Sequence, residues 1–216
     1  MIKEEWIKFK EYIMENDGAK ISDCIIGQLL EQVNYIKMFP EDTKLIFYRA
    51  RIGRFANADK SQMMNPPSDK ATAGRCNKEG ISYLYMSKTK DTAIREIIKS
   101  SDEEVVDVTV AEFNVDMSNV FSFLPYKFNY MESYIANAEI NELLKIINEE
   151  MMRVITDTKE YIPLQYIAEY IKSIGYDGFL YGSVVGAGVN LVMFNNVKCS
   201  MKNREEKQIN INNWLK

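Results

Sequence analysis

The chain has 216 residues, a formal net charge of −4, 46% hydrophobic and 27% charged residues, which is the range of a globular protein large enough for one domain and a modest extension. The acidic balance argues against a binder of phosphate backbones, whose footprint is a basic surface, and so against direct recognition of nucleic acid. There is no histidine, which excludes Ser-His-Asp and Cys-His mechanisms and any zinc site that needs imidazole; no metal is expected, and an enzyme here must work with carboxylates, Arg, Lys, Tyr, Ser or a group borrowed from its substrate.

In chain order, Met1-Ile2-Lys3-Glu4-Glu5-Trp6 carries acid too early for a signal peptide. Ile2, Trp6, Phe9 and Ile13 recur at helical spacing until Asp17-Gly18 breaks the pattern. A second helix is predicted from Ser22-Asp23, which suit an N-cap, with Ile25, Ile26, Leu29, Leu30, Val33 and Ile36 on one face. Phe39-Pro40-Glu41-Asp42 ends it, so residues 1–43 read as an N-terminal helical extension. Residues 45–50 are β-rich, and residues 51–72, with Asn65-Pro66-Pro67, read as a long loop of the kind that carries function. A strand over 83–87 precedes a helix over 92–100 with Asp91 as its cap, and 104–115 returns to strand. Residues 130–155 are helix-rich with Ile140, Leu143, Leu144 and Ile147 on one stripe, and a helix over 161–174 ends at Gly175.

The apolar run from 174 to 194 is broken by Asp177, Asn190 and several glycines. It therefore reads as two buried strands with turns, over 176–181 and 189–194, and not as a membrane span. Residues 199–216 read as a C-terminal tail. Cys24, Cys76 and Cys199 lie far apart and fit free thiols in a reducing compartment, which places the protein in the cytoplasm. Strands and helices without strict alternation predict an α+β fold.

Three short pieces in succession carry the chemistry: Gly74-Arg75-Cys76-Asn77-Lys78-Glu79-Gly80 on a loop, Leu84-Tyr85 on a strand, and Thr92-Ala93-Ile94-Arg95-Glu96 on a helix. Taken singly, each has a plain structural reading: a hairpin loop, a core aromatic, a solvated carboxylate. Glu96, however, flanks the apolar stripe of Ala93, Ile94 and Ile97, at the rim of the buried face.

In their order and spacing these pieces resemble the RES family, through Gly-Arg-x-Asn, Leu-Tyr and Thr-Ala-x-x-Glu. Tyr48-Arg49, Asn65-Pro66-Pro67, Gln165 with Ala168-Glu169-Tyr170, Gly175-Tyr176-Asp177-Gly178 and Tyr181-Gly182-Ser183 extend the resemblance over about residues 45–197, with a RES domain bounded at 44–198. One departure is Cys76, where members often carry an aromatic.

The resemblance implies an ADP-ribosyltransferase-like mixed β core with flanking helices, and a toxin of a toxin–antitoxin pair that degrades NAD+. It implies Arg75, Tyr85, Glu96 and Ser183 as the active-site set, Arg49 as a second basic contact, and Asn77 beside Arg75 among the ligand-binding residues. NAD+ is then a substrate and no cofactor is needed, with inorganic phosphate a possible co-substrate. A cognate antitoxin is the implied partner, and the N-terminal helices are open to docking a partner or to self-association.

These side chains suit the reaction. Arg forks a diphosphate, a tyrosine face stabilises the nicotinamide cation, and a fixed carboxylate stabilises oxocarbenium character on the ribose. Nicotinamide departs neutral, so no general acid is required. The acceptor stays open between water, phosphate and a macromolecule, as does a non-catalytic NAD-binding module. The geometry expected is a guanidinium, a phenol and a carboxylate around one dinucleotide-sized hollow.

Overall fold

Seven strands form one mixed sheet in the computed structural model, which describes residues 1–16, 19–33, 38–99, 101–124, 137–186 and 188–214. They are β1 (Lys44–Ile52), β2 (Leu84–Ser87), β3 (Val105–Asp116), β4 (Val120–Ser122), β5 (Gly178–Gly182), β6 (Val189–Met193) and β7 (Cys199–Asn210), in the order β4-β5-β6-β2-β1-β3-β7. β4 and β5 are parallel and every other neighbouring pair is antiparallel. The helices are α1 (Ile2–Glu15), α2 (Ile25–Glu31), α3 (Lys90–Ile98), α4 (Ala138–Met152), α5 (Ile162–Ser173) and the short α6 (Ile211–Trp214). This is the α+β arrangement that the non-alternating order predicts.

The sheet has a seam at its middle. β1 and β3 pair along the whole of β1, from Lys44 opposite Asp116 to Ile52 opposite Val108. β1 and β2 share one position only, Tyr48 opposite Ser87. Past it the two strands part, and the gap is where a cleft forms.

Two apolar clusters hold the layers. The smaller lies between α3 and the β1-β3-β7 half, joining Ala93, Ile94 and Ile98 to Ala50, Val106, Val108, Val110 and Ile209. The larger gathers Phe47, Phe113, Phe121, Phe123 and Phe179 with the apolar faces of α4 and α5. The N-terminal helices belong to that same cluster: Ile2, Trp6, Phe9 and Ile13 of α1 and Ile26, Leu29, Leu30 and Val33 in and after α2 are all buried. The Tyr176 hydroxyl donates to the Val33 carbonyl at 2.9 Å. α1 and α2 thus pack into the main core.

Several details differ from the sequence reading. Residues 199–210, read as a tail, form β7 and pair with β3 from Cys199 opposite Val115 to Asn210 opposite Val105. Their charged sequence hides the strand because half of its residues are exposed and only Ile209 is buried. β4 is unheralded for the opposite reason, being three residues long. α3 is capped by Thr89, whose hydroxyl accepts from the Thr92 N–H at 3.1 Å, and Asp91 instead pairs with Arg95 at 2.9 Å. α2 starts at Ile25, after a 3-10 turn at Ile21–Asp23 that takes up Ser22-Asp23. Asp17-Gly18, Ile36 and residues 130–136 of the predicted helical stretch lie outside the described residues. Gly175 closes α5 as expected, with φ of 98° and its N–H on the Lys172 carbonyl at 3.0 Å.

Candidate active site

At the parting of β1 and β2 lies a cleft of about 230 Å³ lined by Tyr48, Arg49, Tyr85, Glu96, Tyr181 and Asn190, among others. The volume falls below the roughly 300–1,000 Å³ of an enclosed small-molecule pocket, and the cleft is open to solvent on one side.

Glu96 is the best-held side chain there. It projects from α3, and its Oε1 accepts from the Ser183 hydroxyl at 2.8 Å and from Asn190 Nδ2 at 2.7 Å, while Oε2 pairs with Lys99 one turn along the helix. Asn190 is oriented in turn by the Ser87 hydroxyl, which donates to its Oδ1 at 2.7 Å. Burial pushes the Glu96 carboxyl up. The hydrogen bonds from Lys99 and Asn190, the Lys99 charge and the Ser183 hydroxyl outweigh that push and hold it below the ordinary carboxylate range. The group is a part-buried, ionised carboxylate flanked by Ala93 and Ile97.

Tyr85 stands opposite. Its hydroxyl donates to Asn77 Oδ1 at 2.7 Å and accepts from the Cys76 N–H at 3.2 Å, so the ring is fixed in the cleft wall. Burial, with the neighbouring Cys76 and Tyr181, pushes its phenol well above the ordinary range, and Tyr181 is raised in the same way. Both are neutral rings, serving as walls and donors and not as bases. The Cys76 thiol is pushed up to about 12 by burial, which makes it an inert packing group.

Arg49 is the basic member of the cleft. One guanidinium nitrogen donates to the Tyr85 carbonyl across the gap at 3.3 Å, and its buried Nε finds no partner. Burial and the nearby Arg51 charge lower its pKa to about 10, so it stays charged at neutral pH. Among the described residues it forms no ion pair with a carboxylate. A charge held this way is costly unless an anion completes it.

Tyr85, Glu96 and Arg49, expected only as a second basic contact, line one cleft, but three residues of the expected set, among them the expected guanidinium of Arg75, do not. Arg75 Nη1 donates to the Glu150 carbonyl at 3.4 Å and its guanidinium lies over the Tyr161 ring at 5.2 Å. It is turned toward the end of α4, yet close enough for its charge to act on the Tyr181 phenol. Ser183, 1% exposed, spends its hydroxyl on Glu96 and sits behind the carboxylate. Asn77, 5% exposed, shares Nδ2 among the carbonyls of Thr72, Lys78 and Ile81 at 2.9–3.1 Å. With Oδ1 taken by Tyr85 it has no polar atom left for a ligand, and is a staple of the glycine-arginine loop.

Gln165 is a second staple, donating to the Gly74 and Asn77 carbonyls at 2.8 and 3.0 Å. Gly74 is needed because a Cβ there would stand 2.7 Å from Asn77 Oδ1. Sequence reasoning missed Asn190 and Lys99 as parts of the site. Asn190 carried a signal, an amide inside the apolar run 189–194. Lys99, three residues after Glu96, is indistinguishable in sequence from a solvated i,i+3 pair.

A part-buried carboxylate and a guanidinium without a carboxylate partner among the described residues line one cleft at the seam of a mixed sheet. The chain belongs to the RES-domain family, whose model matches residues 46–212 and so takes in β7 along with the rest of the sheet. Among curated proteins no relative matches. Among solved structures a chain of the M. tuberculosis MbcT-MbcA toxin–antitoxin complex is similar in fold, with a TM-score of 0.52 at 10% identity, covering 86% of this chain and 94% of that one.

Proposed function

We propose that this protein is an NAD+-cleaving toxin that acts in the cytoplasm and is held in check by a cognate antitoxin. The carrying observation is the ionised Glu96 carboxylate, braced by Ser183, Asn190 and Lys99, facing Tyr85 and the unpaired Arg49 across one cleft. Membership of the RES-domain family and a similar fold in a chain taken from a toxin–antitoxin complex support the biological role.

Arg49 pairs with the diphosphate, completing its unsatisfied Nε. The Tyr85 ring in the cleft wall orders the nicotinamide riboside half. The bond between the ribose anomeric carbon and the pyridinium nitrogen then breaks, and its electron pair leaves with nicotinamide, which becomes neutral. Glu96 stabilises the positive charge that develops on the ribose. Capture by water, with loss of a proton to solvent, gives ADP-ribose, and capture by inorganic phosphate gives the 1-phosphate. Arg75, seated on the end of α4 outside the cleft, adds positive charge near Tyr181 that favours the diphosphate.

The test is release of nicotinamide from NAD+ by the purified protein, with and without phosphate and with products identified by mass. Glu96→Gln and Arg75→Ala are expected to lose release by about a hundredfold or more while remaining folded; undiminished turnover in both variants defeats the assignment. Label from NAD+ appearing on protein or nucleic acid points to a macromolecular acceptor, and binding without turnover to a non-catalytic module.

A further inference from the structure

The C-terminal end of α4 contacts both the end of β5 and Arg75. Gly182 is the final residue of β5, and Ser183 follows it. β4 ends its pairing at Ser122 opposite Leu180, so the Gly182 N–H emerges past the end of the neighbouring strand. The Asn148 side chain takes the place of that strand: its Oδ1 accepts from the Gly182 N–H at 2.8 Å. The other edge at this point is closed by Ser183 N–H on the Gly188 carbonyl at 2.9 Å.

Asn148 is 6% exposed and its Nδ2 rests on Met152 Sδ at 3.3 Å. The same Met152 side chain lies where a Gly182 Cβ would be, 2.3 Å from its sulfur, which explains the glycine and lets helix and strand end approach. Between Asn148 and Met152, the Glu150 carbonyl is the one that receives Arg75. The Glu150 carbonyl also accepts from the Arg153 N–H at 3.2 Å, and its place at the negative end of the helix suits a guanidinium. The turn is backed from outside by α1, whose Lys10 pairs with the Glu150 carboxylate at 3.5 Å.

We infer that Asn148 is a positioning residue for the site: it fixes the end of β5, so that the Ser183 hydroxyl meets Glu96 Oε1, while its own helical turn seats Arg75. This rests on the proposed NAD+ cleavage for its kinetic readout only. A carboxylate displaced by a fraction of an ångström keeps its ligand and loses rate, because alignment matters most in the transition state.

Asn148→Leu, which keeps the shape and removes the acceptor, is set against Asn148→Asp, which keeps an acceptor oxygen. For nicotinamide release, the leucine variant is expected to lose kcat by about tenfold or more with KM little changed, and the aspartate variant to recover most of it. Independently of turnover, the Glu96 side-chain carboxyl resonance and the exchange rate of the Gly182 amide report the geometry directly. Both are expected to shift in the leucine variant and to stay near wild type in the aspartate variant. A structural role alone would lower stability and leave the Glu96 resonance of the folded protein in place. A folded leucine variant with unmoved Glu96 resonance and wild-type kcat overturns the inference, as does an aspartate variant as impaired as the leucine one. If the wild type shows no turnover, the NAD+ reading fails, and the two resonance measurements still decide the role of Asn148.

Discussion

Lys99 is the side chain that keeps Glu96 ionised against its surroundings, since burial is the largest influence on that carboxyl and acts in the opposite direction. A carboxyl whose folded pKa lies below its unfolded one adds stability above the unfolded value and loses it as pH falls through the folded value. Lys99→Met removes the strongest opposing influence. The acid limb of turnover, and the acid limb of the thermal midpoint, are therefore expected to move to higher pH, within the range below about pH 6. A titration of both against pH checks this, and unmoved limbs would show that Asn190 and Ser183 suffice.

Arg49 invites the reverse experiment. Arg49→Met replaces a buried charge without a carboxylate partner by an apolar side chain of similar length, so the ligand-free protein is expected to gain stability. The thermal midpoint should rise by about 2–4 °C for each kcal/mol regained in a chain of this size, while nicotinamide release falls by about a hundredfold. A lower midpoint with unchanged turnover would remove Arg49 from the site. At this scale the sequence was informative about which residue types gather, because Tyr85 and Glu96 follow in order from one strand and helix. It was silent on direction. Nothing in Gly-Arg-x-Asn distinguishes an arginine facing the cleft from one seated on a helix end, or an asparagine that binds ligand from one that spends every polar atom on its own loop.

Among the elements, β7 shows where pattern reading fails. Its run Lys202-Asn203-Arg204-Glu205-Glu206-Lys207 has none of the alternation that marks a half-buried strand, and charge on an outer strand is itself a device against unwanted pairing. The strand exists because β3 offers it a long partner and because Ile209 and Ile211 reach the smaller core cluster. A chain ending at residue 198 would leave the outer edge of β3 bare and remove those two side chains. It is expected to lose its cooperative thermal transition, measured by circular dichroism, whereas a dispensable tail would leave the transition intact. α1, by contrast, was plain in the sequence from Ile2, Trp6, Phe9 and Ile13, and the structure buries all four.

Over the whole molecule, the sheet is two panels joined by very little backbone. β7, β3 and β1 make one panel with α3 packed on it, and β2, β6, β5 and β4 make the other. The backbone stitch between them is the pairing of Tyr48 with Ser87. Glu96 rides on the first panel, and both of its Oε1 donors, Ser183 and Asn190, come from the second; Arg49 likewise reaches across to the Tyr85 carbonyl. The groups proposed for chemistry are therefore also the rivets of a joint. Opening that joint is resisted mainly by side chains, so a ligand gripped from both panels acts as a cross-brace, and the protein gains rigidity at the same place and moment that it engages its substrate.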